Sequence, residues 1–325
     1  MLLSVKEAYI NTENTDSDYK NMGKKIIKRA IKILCILLAV NTVFVFTVGG
    51  VIYGGALKRH GASVTASDGD KNWLERVSTE LYTASEDGLR LHGYYAENPD
   101  GKNRIALVCH GYDGNGAGMT YYAKRFYDMG YSVLAPDARS HGMSDGEIIG
   151  MGYIEKRDII GWINLITKDK PDAEVVLFGL SMGAGTVLFT SGEADLPRCV
   201  RAVVSDCAYT DVYNEIGSAV RYAVPWAPSF PVVDCASFLC QLDGGYDFRA
   251  ASCVDAVKRS VTPTLFIHGS EDRYVPFEMM EKLYLGCSAK KEKLVIEGAE
   301  HANSAGTDGE LYWITVERFL SEYIK

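Results

Sequence analysis

The chain has 325 residues, of which 47% are hydrophobic, and this allows one large buried core in a domain of about 250 residues. The net charge of −8 and the pI near 5.4 argue against nucleic-acid binding, because a phosphate-binding surface must be basic to release counterions. The composition favours an enzyme-sized domain joined to an additional apolar segment.

That apolar segment is residues 33–57, which carry no charged side chain over 25 positions. A helix of this length crosses a hydrocarbon core of about 30 Å with some tilt. The alternatives are a buried core helix and a signal peptide, but a signal peptide usually has an apolar region of only about 7–15 residues. The basic residues that precede the segment are Lys20, Lys24, Lys25, Lys28, Arg29 and Lys32, and those that follow it are Lys58 and Arg59. The positive-inside rule then predicts a single-pass anchor with a cytoplasmic N-terminus and the following domain outside.

Four regions follow from this reading. Residues 1–32 are predicted to be a cytoplasmic tail whose first 20 residues are polar and disordered, and residues 33–57 a transmembrane helix. Residues 58–78 are interpreted as a linker that lets the domain stand off the bilayer. Residues 79–325 form the predicted domain, and the lipid bilayer is the partner expected for the anchor.

Within the domain, short apolar segments alternate with segments of helical length. The predicted buried strands are 105–109, 131–135, 175–178, 202–205, 264–267 and 294–296, and the predicted helices are 117–129, 155–168, 182–191 and 276–285. This alternation predicts an α/β fold with three layers and a mostly parallel sheet, because parallel strands need helical crossovers. Residues 89–96 follow the turn residues Glu86-Asp87-Gly88 and are predicted to form an edge hairpin.

Residues 208–262 interrupt the alternation. They are rich in aromatic residues and proline and contain no clear strand. Insertions this long in a compact domain are usually lids or binding loops, and ordinary helical packing over the sheet edge is the alternative. We interpret the insertion as a lid whose aromatic side chains form an apolar acyl pocket.

The strongest motif is Gly179-Leu180-Ser181-Met182-Gly183, which lies between a predicted strand and a predicted helix. A G-x-S-x-G sequence alone is weak evidence, and it is this strand-to-helix position that gives it weight. The sharp turn raises the serine hydroxyl above the sheet, and the N–H of Met182 faces the site from a helix N-terminus. Ser181 is therefore the predicted nucleophile, against the alternative of a serine helix cap.

A serine nucleophile needs a histidine base held by a carboxylate. Of the six histidines, His301 alone follows the last predicted strand, as the chain order Ser–Asp–His requires. Asp272, in the loop after the strand 264–267, is the predicted orienting acid. Asp206, at the end of the preceding strand, remains a second candidate.

The loop after the strand 105–109 is predicted to complete an oxyanion hole. It contains His110-Gly111-Tyr112, and the N–H of Tyr112 would join that of Met182 as the second donor. A dinucleotide loop would need glycine at position 119, which is Met119. The sequence also has no C-x-x-C and no H-E-x-x-H motif, so we expect neither a metal nor a cofactor.

Together these motifs resemble the α/β-hydrolase superfamily, most closely its serine-aminopeptidase-like and acyl-hydrolase branch, which has membrane-anchored bacterial members. The resemblance covers about residues 80–325 and is carried by the serine turn, the loop at 110–112, Pro136-Asp137-Ala138-Arg139-Ser140-His141-Gly142-Met143-Ser144, His268-Gly269-Ser270-Glu271-Asp272 and His301. It implies the superfamily's fold and a triad of Ser181, Asp272 and His301. It assigns the segment 136–144, including His141, a structural role.

The sequence departs from lipase-type relatives because it lacks their H-G-G-G loop, so bulky tertiary-alcohol esters are not expected substrates. We expect hydrolysis of an ester, thioester or amide through an acyl-serine, with carboxylesterase activity favoured because esters need less leaving-group activation. A peptidase of the same fold and an inactive binding domain tethered to the membrane are the alternatives.

Overall fold

The structure is a computed structural model that describes residues 2–59, 71–101 and 103–325. An eight-stranded sheet forms its centre, with the strand order β1-β2-β4-β3-β5-β6-β7-β8. The strands are β1 Thr79–Ala84, β2 Arg90–Ala96, β3 Arg104–Cys109, β4 Ser132–Pro136, β5 Glu174–Leu180, β6 Val200–Asp206, β7 Thr264–Gly269 and β8 Lys291–Ile296. The pairings of β1 with β2 and of β2 with β4 are antiparallel, and the others are parallel. The predicted α/β fold and edge hairpin are confirmed.

Helices lie on both faces of the sheet. The helices of the described residues are α1 Leu2–Leu57, α2 Lys71–Val77, α3 Thr120–Asp128, α4 Glu155–Thr167, α5 Met182–Ser191, α6 Val212–Ala223, α7 Val232–Asp243, α8 Cys253–Arg259, α9 Glu278–Gly286, α10 Ser304–Thr307 and α11 Gly309–Ser321, with a 3₁₀ turn at Ala117–Met119. One apolar core includes Trp162 and Val187 under α4 and α5, and the other includes Phe126 and Trp313 under α3 and α11. Since strand side chains alternate between faces, the central strands contribute to both cores and are apolar over most of their length.

Helix α1 is continuous from Leu2, so the disorder predicted for residues 1–20 is wrong for the described residues 2–20. Residues 2–32 contain no proline and only one glycine, Gly23, so a polar composition does not interrupt the helix there. Within the described part of the chain, the segment Lys20–Leu57 is the helix long and apolar enough to cross a membrane, and its most apolar window is unburied. A signal sequence near an N-terminus has the same properties.

The last turns of α1 pack against α7. A Cβ atom on Gly49 would lie 2.7 Å from the Cβ of Cys235, so glycine is required for this close approach. Tyr53 donates a hydrogen bond to Asp243 at 2.7 Å, and the side chain of Leu57 is fully buried. The helix end is therefore part of the domain.

The prediction that residues 58–78 let the domain stand off the bilayer is corrected at both described ends. Lys58 forms an ion pair with Asp243, and the guanidinium of Arg59 donates to the carbonyl of Ser144 at 3.0 Å. Beyond residues 60–70, which lie outside the described residues, α2 buries Leu74 completely in the core under α3. The two ends of the segment are thus fixed to the domain by the buried side chains of Leu57 and Leu74.

The predicted lid, residues 208–262, is helical and contains α6, α7 and α8. Asp211 caps α6 by accepting a hydrogen bond from the N–H of Asn214. However, α8 packs against α5 and α9 and buries Cys253 and Val257, so it is an ordinary crossover helix before β7. The lid therefore ends at about residue 252, because the segment after it carries the apolar residues that cover the sheet.

Candidate active site

Ser181 occupies a strained turn between β5 and α5. Its φ of 55° lies in the left-handed region, which is unfavourable for a residue with a side chain. A Cβ atom on Gly179 would lie 2.1 Å from the carbonyl oxygen of Gly183, and one on Gly183 would lie 2.3 Å from that of Cys109. Both flanking glycines are thus required for the turn, which holds the Ser181 hydroxyl at the end of the sheet.

The structure brings the three predicted triad residues together from separate loops. The Oγ of Ser181 lies 2.9 Å from Nε2 of His301, and Nδ1 of His301 lies 2.7 Å from Oδ2 of Asp272. His301 follows β8 and Asp272 follows β7, and these parallel strands bring their carboxyl ends to the same edge of the sheet as the end of β5. These contacts form a continuous serine–imidazole–carboxylate chain.

Asp272 is held in one orientation. Its side chain is fully buried, and Oδ1 accepts hydrogen bonds from the N–H groups of Tyr274 at 3.0 Å and Val275 at 2.9 Å. Burial raises the pKa of Asp272, but hydrogen bonds from His268 and His301 outweigh this effect and lower the pKa to about 2. The carboxylate that faces His301 is therefore ionised at neutral pH.

Asp206, the second candidate acid, belongs to a different network. It accepts hydrogen bonds from the hydroxyls of Tyr312 at 3.0 Å and Ser304 at 3.3 Å. Burial raises the pKa of Asp206 to about 6. Asp206 thus connects β6 to the helices α10 and α11, whereas Asp272 contacts the imidazole.

Both predicted oxyanion donors lie beside the serine. Tyr112 and Met182 line a cavity of about 230 Å³ that also contains Ser181, and Tyr112 lines a second cavity of about 390 Å³ on the His301 side. Met182 begins α5, where free N–H groups and the helix dipole favour negative charge. A Cβ atom on Gly111 would lie 3.4 Å from that of Ser181, so the loop passes close to the turn.

Residues of the segment 136–144, to which the resemblance assigns a structural role, support this loop together with His92. Asp137 accepts hydrogen bonds from the N–H of Gly116 at 2.7 Å and from His92 at 2.8 Å. Nδ1–H of His110 donates to the carbonyl of Gly111 at 2.7 Å, while Nε2 accepts from the N–H of Ala138 at 3.0 Å. The segment 136–144 therefore holds the loop in place, and His141 donates to the carbonyl of Arg139 at 3.0 Å.

The 230 Å³ cavity is also lined by residues that sequence reasoning did not select. Gly55 and Ala56 reach it from the end of α1, and Glu215 and Ile216 reach it from α6. Burial raises the pKa of Glu215 to about 8, and its Oε2 has no hydrogen-bond partner among the described residues. This carboxyl group is thus mostly protonated at neutral pH, and no motif in the sequence marks it.

Cys207 lies behind the triad. Its Sγ and the ligand atoms of Asp272 and His301 all lie within 4.8 Å of one another, a spacing compatible with a metal ion. However, burial raises the pKa of the Cys207 thiol well above its usual value, and the thiolate is the form that binds metal. The donor set therefore suits the serine–imidazole–carboxylate chain better than a resident metal.

Comparison with known proteins agrees with the geometry. The family description "Serine aminopeptidase, S33" matches residues 101–231. The Bacillus subtilis protein YqkD is 31% identical over 251 residues, which cover 77% of this chain and 81% of YqkD. A Saccharomyces cerevisiae protein described as an uncharacterized membrane protein is 22% identical over 75% of this chain and 79% of its own length.

Two solved structures share the fold. The Pyrococcus furiosus esterase Pf2001 has a TM-score of 0.65 at 21% identity and covers 81% of this chain and 98% of its own. The Pyrococcus horikoshii acylaminoacyl peptidase has a TM-score of 0.54 at 17% identity and covers 75% of this chain and 40% of its own.

The fold and the site define a protein of the hydrolase class, built on a mostly parallel eight-stranded sheet with a serine at the strand-to-helix turn. The chain belongs to the α/β-hydrolase superfamily, and its family and its esterase and peptidase neighbours support an enzyme with hydrolase activity.

Proposed function

We propose that the protein is a serine hydrolase that cleaves carboxylic esters through an acyl-serine intermediate. Ser181 is the nucleophile, His301 the general base and Asp272 the residue that orients the imidazole. The observation that carries this proposal is the hydrogen-bonded chain of 2.9 Å and 2.7 Å from Ser181 through His301 to Asp272. The N–H groups of Tyr112 and Met182 are the proposed oxyanion donors.

The reaction follows from these positions. Oγ of Ser181 attacks the substrate's carbonyl carbon while Nε2 of His301 takes its proton, and the negative charge that develops on the carbonyl oxygen is stabilised by the two N–H donors. The tetrahedral intermediate expels the alcohol, which takes the proton from His301. Water then attacks the acyl-serine with His301 again as base, which releases the acid and restores Ser181.

A peptidase is the second candidate, because the matching family description names a serine aminopeptidase and one structural neighbour is an acylaminoacyl peptidase. An ester or thioester is favoured because it needs less leaving-group activation than an amide, and the cavity beside Ser181 includes Ile216, Ala219 and Met182, which suit an apolar acyl group. A tethered binding domain without activity is disfavoured, because the complete serine–imidazole–carboxylate chain serves no purpose in binding alone.

The proposed location is a membrane, which α1 crosses once from residue 33, with residues 1–32 in the cytoplasm. The uncharged span, its basic N-terminal flank and the membrane description of the yeast relative support this proposal. The hydrolase domain would then lie outside the cytoplasm, with the bilayer as its partner through α1.

The activity is tested by hydrolysis rates for p-nitrophenyl esters of graded chain length and for aminoacyl amides. Turnover of the esters by the wild type, lost in Ser181→Ala, is the expected result. Amide turnover that exceeds ester turnover would favour the peptidase, and no turnover of either class would favour the binding domain. Ser288→Ala is a matched control because Ser288 follows α9, outside the cavities that contain Ser181.

A further inference from the structure

We propose that the end of the membrane helix forms part of the acyl pocket, and that the substrate is an acyl ester that resides in the bilayer. This inference rests on the proposed ester hydrolysis and adds to it the substrate class and its route of entry, between α1 and α6.

The first observation is the composition of the 230 Å³ cavity. The cavity is lined by Gly55 and Ala56 of α1, by Ile216 and Ala219 of α6, and by Ser181 and Met182 at the start of α5. The hydroxyl of Tyr112, beside the serine, donates to the carbonyl of Gly55 at 3.2 Å. The helix end is thus connected to the loop that supplies an oxyanion donor.

The second step is the depth that the proposed span gives to these residues of α1. A hydrocarbon core of about 30 Å takes about 20 helical residues, so a span that begins at residue 33 leaves the core near Tyr53. Gly55 and Ala56 then lie only a few ångströms beyond the core, at the level of the headgroup interface. Lipid ester carbonyls lie at that same level, and their acyl chains extend from there into the core.

The third observation is an apolar surface on the connection between α6 and α7. It consists of Val224, Trp226 and Phe230, together with Tyr222 in the last turn of α6, and Trp226 and Phe230 are 84% and 71% exposed. Gly49 contacts the first turn of α7, so this connection lies at the membrane-facing end of the lid. Exposed tryptophan and phenylalanine beside a membrane helix are typical of protein surfaces that contact the membrane interface. We therefore assign the membrane as the binding partner of this apolar surface.

The fourth observation is the charge of the cavity. Glu215 is its acidic residue, and burial keeps this carboxyl group mostly protonated at neutral pH. An acyl chain can cover a neutral carboxyl group at little cost, whereas covering an ionised carboxylate would carry a large desolvation penalty. The cavity's composition, depth and charge all favour a membrane-resident ester over a soluble one.

The test uses the full chain reconstituted in phosphatidylcholine vesicles, with Gly55→Leu compared with Gly54→Leu. At both positions an added Cβ meets no atom within 4 Å, but only Gly55 lines the cavity. The rates are measured for p-nitrophenyl palmitate in the vesicle membrane and for soluble p-nitrophenyl acetate. Labelling by a small fluorophosphonate reports whether each variant retains a working serine.

Gly55→Leu is expected to lower the palmitate rate by about tenfold or more, because methylene-sized changes in an apolar pocket alter selectivity by about 10–200-fold. The ratio of its palmitate rate to its acetate rate should therefore fall, whereas all three quantities for Gly54→Leu should remain within about twofold of the wild type. Equal chain-length preferences in the two variants, or a wild type that hydrolyses acetate and not palmitate, would overturn the inference alone. A wild type that is not labelled and hydrolyses neither ester would overturn the proposed function as well.

Discussion

Replacing Asp272 with asparagine keeps the shape of the side chain but changes what it presents to His301. The remaining amide oxygen can still accept the hydrogen bonds from the N–H groups of Tyr274 and Val275. The amide NH₂ would then face Nδ1 of His301, at the position where Oδ2 now lies 2.7 Å away. The imidazole would be held with its proton on Nε2, so it could no longer accept the proton of Ser181.

The expected loss in kcat for Asp272→Asn is about four orders of magnitude, the size found for the same change in a serine protease triad. Four orders correspond to about 5.4 kcal/mol of transition-state stabilisation. The fold should be retained, but part of the stability at neutral pH should be lost. The pKa of about 2 for Asp272 lies below the ordinary value of 3.8, so its ionised form stabilises the native state above about pH 4. A difference of that size is worth on the order of 2 kcal/mol.

The assay is kcat for p-nitrophenyl butyrate, with circular dichroism as the check on folding. Asp206→Asn is the matched control, because Asp206 is also buried but bonds to Tyr312 and Ser304. It should lower kcat by less than about tenfold, since it leaves the imidazole contact intact. If Asp206→Asn abolishes turnover while a folded Asp272→Asn keeps most of it, the orienting acid is misassigned.

Three further predictions concern stability and location. Burial raises the pKa of Glu215 to about 8, so the native state binds this proton more tightly than the unfolded chain does. The wild type should therefore lose stability as the pH rises from about 4.5 to 8. Glu215→Gln should show a smaller fall in Tm between pH 6 and pH 9, and equal falls in the two proteins would refute this. Gly49→Val should lower Tm because its side chain would overlap Cys235. Gly54→Val should change Tm little because an added Cβ there meets no atom within 4 Å, and equal effects would show that α1 does not pack on α7 as described. Protease added to intact cells should remove the hydrolase domain, and a protected domain beside a digested surface control would contradict the proposed orientation.

Motifs that act through local geometry were readable from the sequence. The glycines at 179 and 183 predict the strand-to-helix turn at Ser181, because only glycine fits that close to the neighbouring backbone. The apolar strands predict the sheet, since parallel strands are buried on both faces. Once the strand order is known, His301 and Asp272 must lie at the same edge as Ser181.

Features that depend on long-range packing were not readable. In the sequence, residues 49–57 are indistinguishable from the end of a membrane span. The structure shows that Gly49 packs against Cys235 and that Leu57 is buried in the domain. No sequence motif marks Glu215, and its pKa is raised by burial, which arises only when the chain folds. The predicted lid includes α8 because no strand pattern between residues 208 and 262 marks where the sheet-covering helices resume.

Labelling of the full-length protein by a fluorophosphonate, followed by mass spectrometry of the peptides, tests the central assignment most directly. The account predicts a single phosphonylated residue, Ser181, with labelling lost in Ser181→Ala and strongly slowed in His301→Ala, because the hydroxyl then lacks the base that lies 2.9 Å away. Absence of label on folded wild-type protein, or label that persists on another serine in Ser181→Ala, would contradict it.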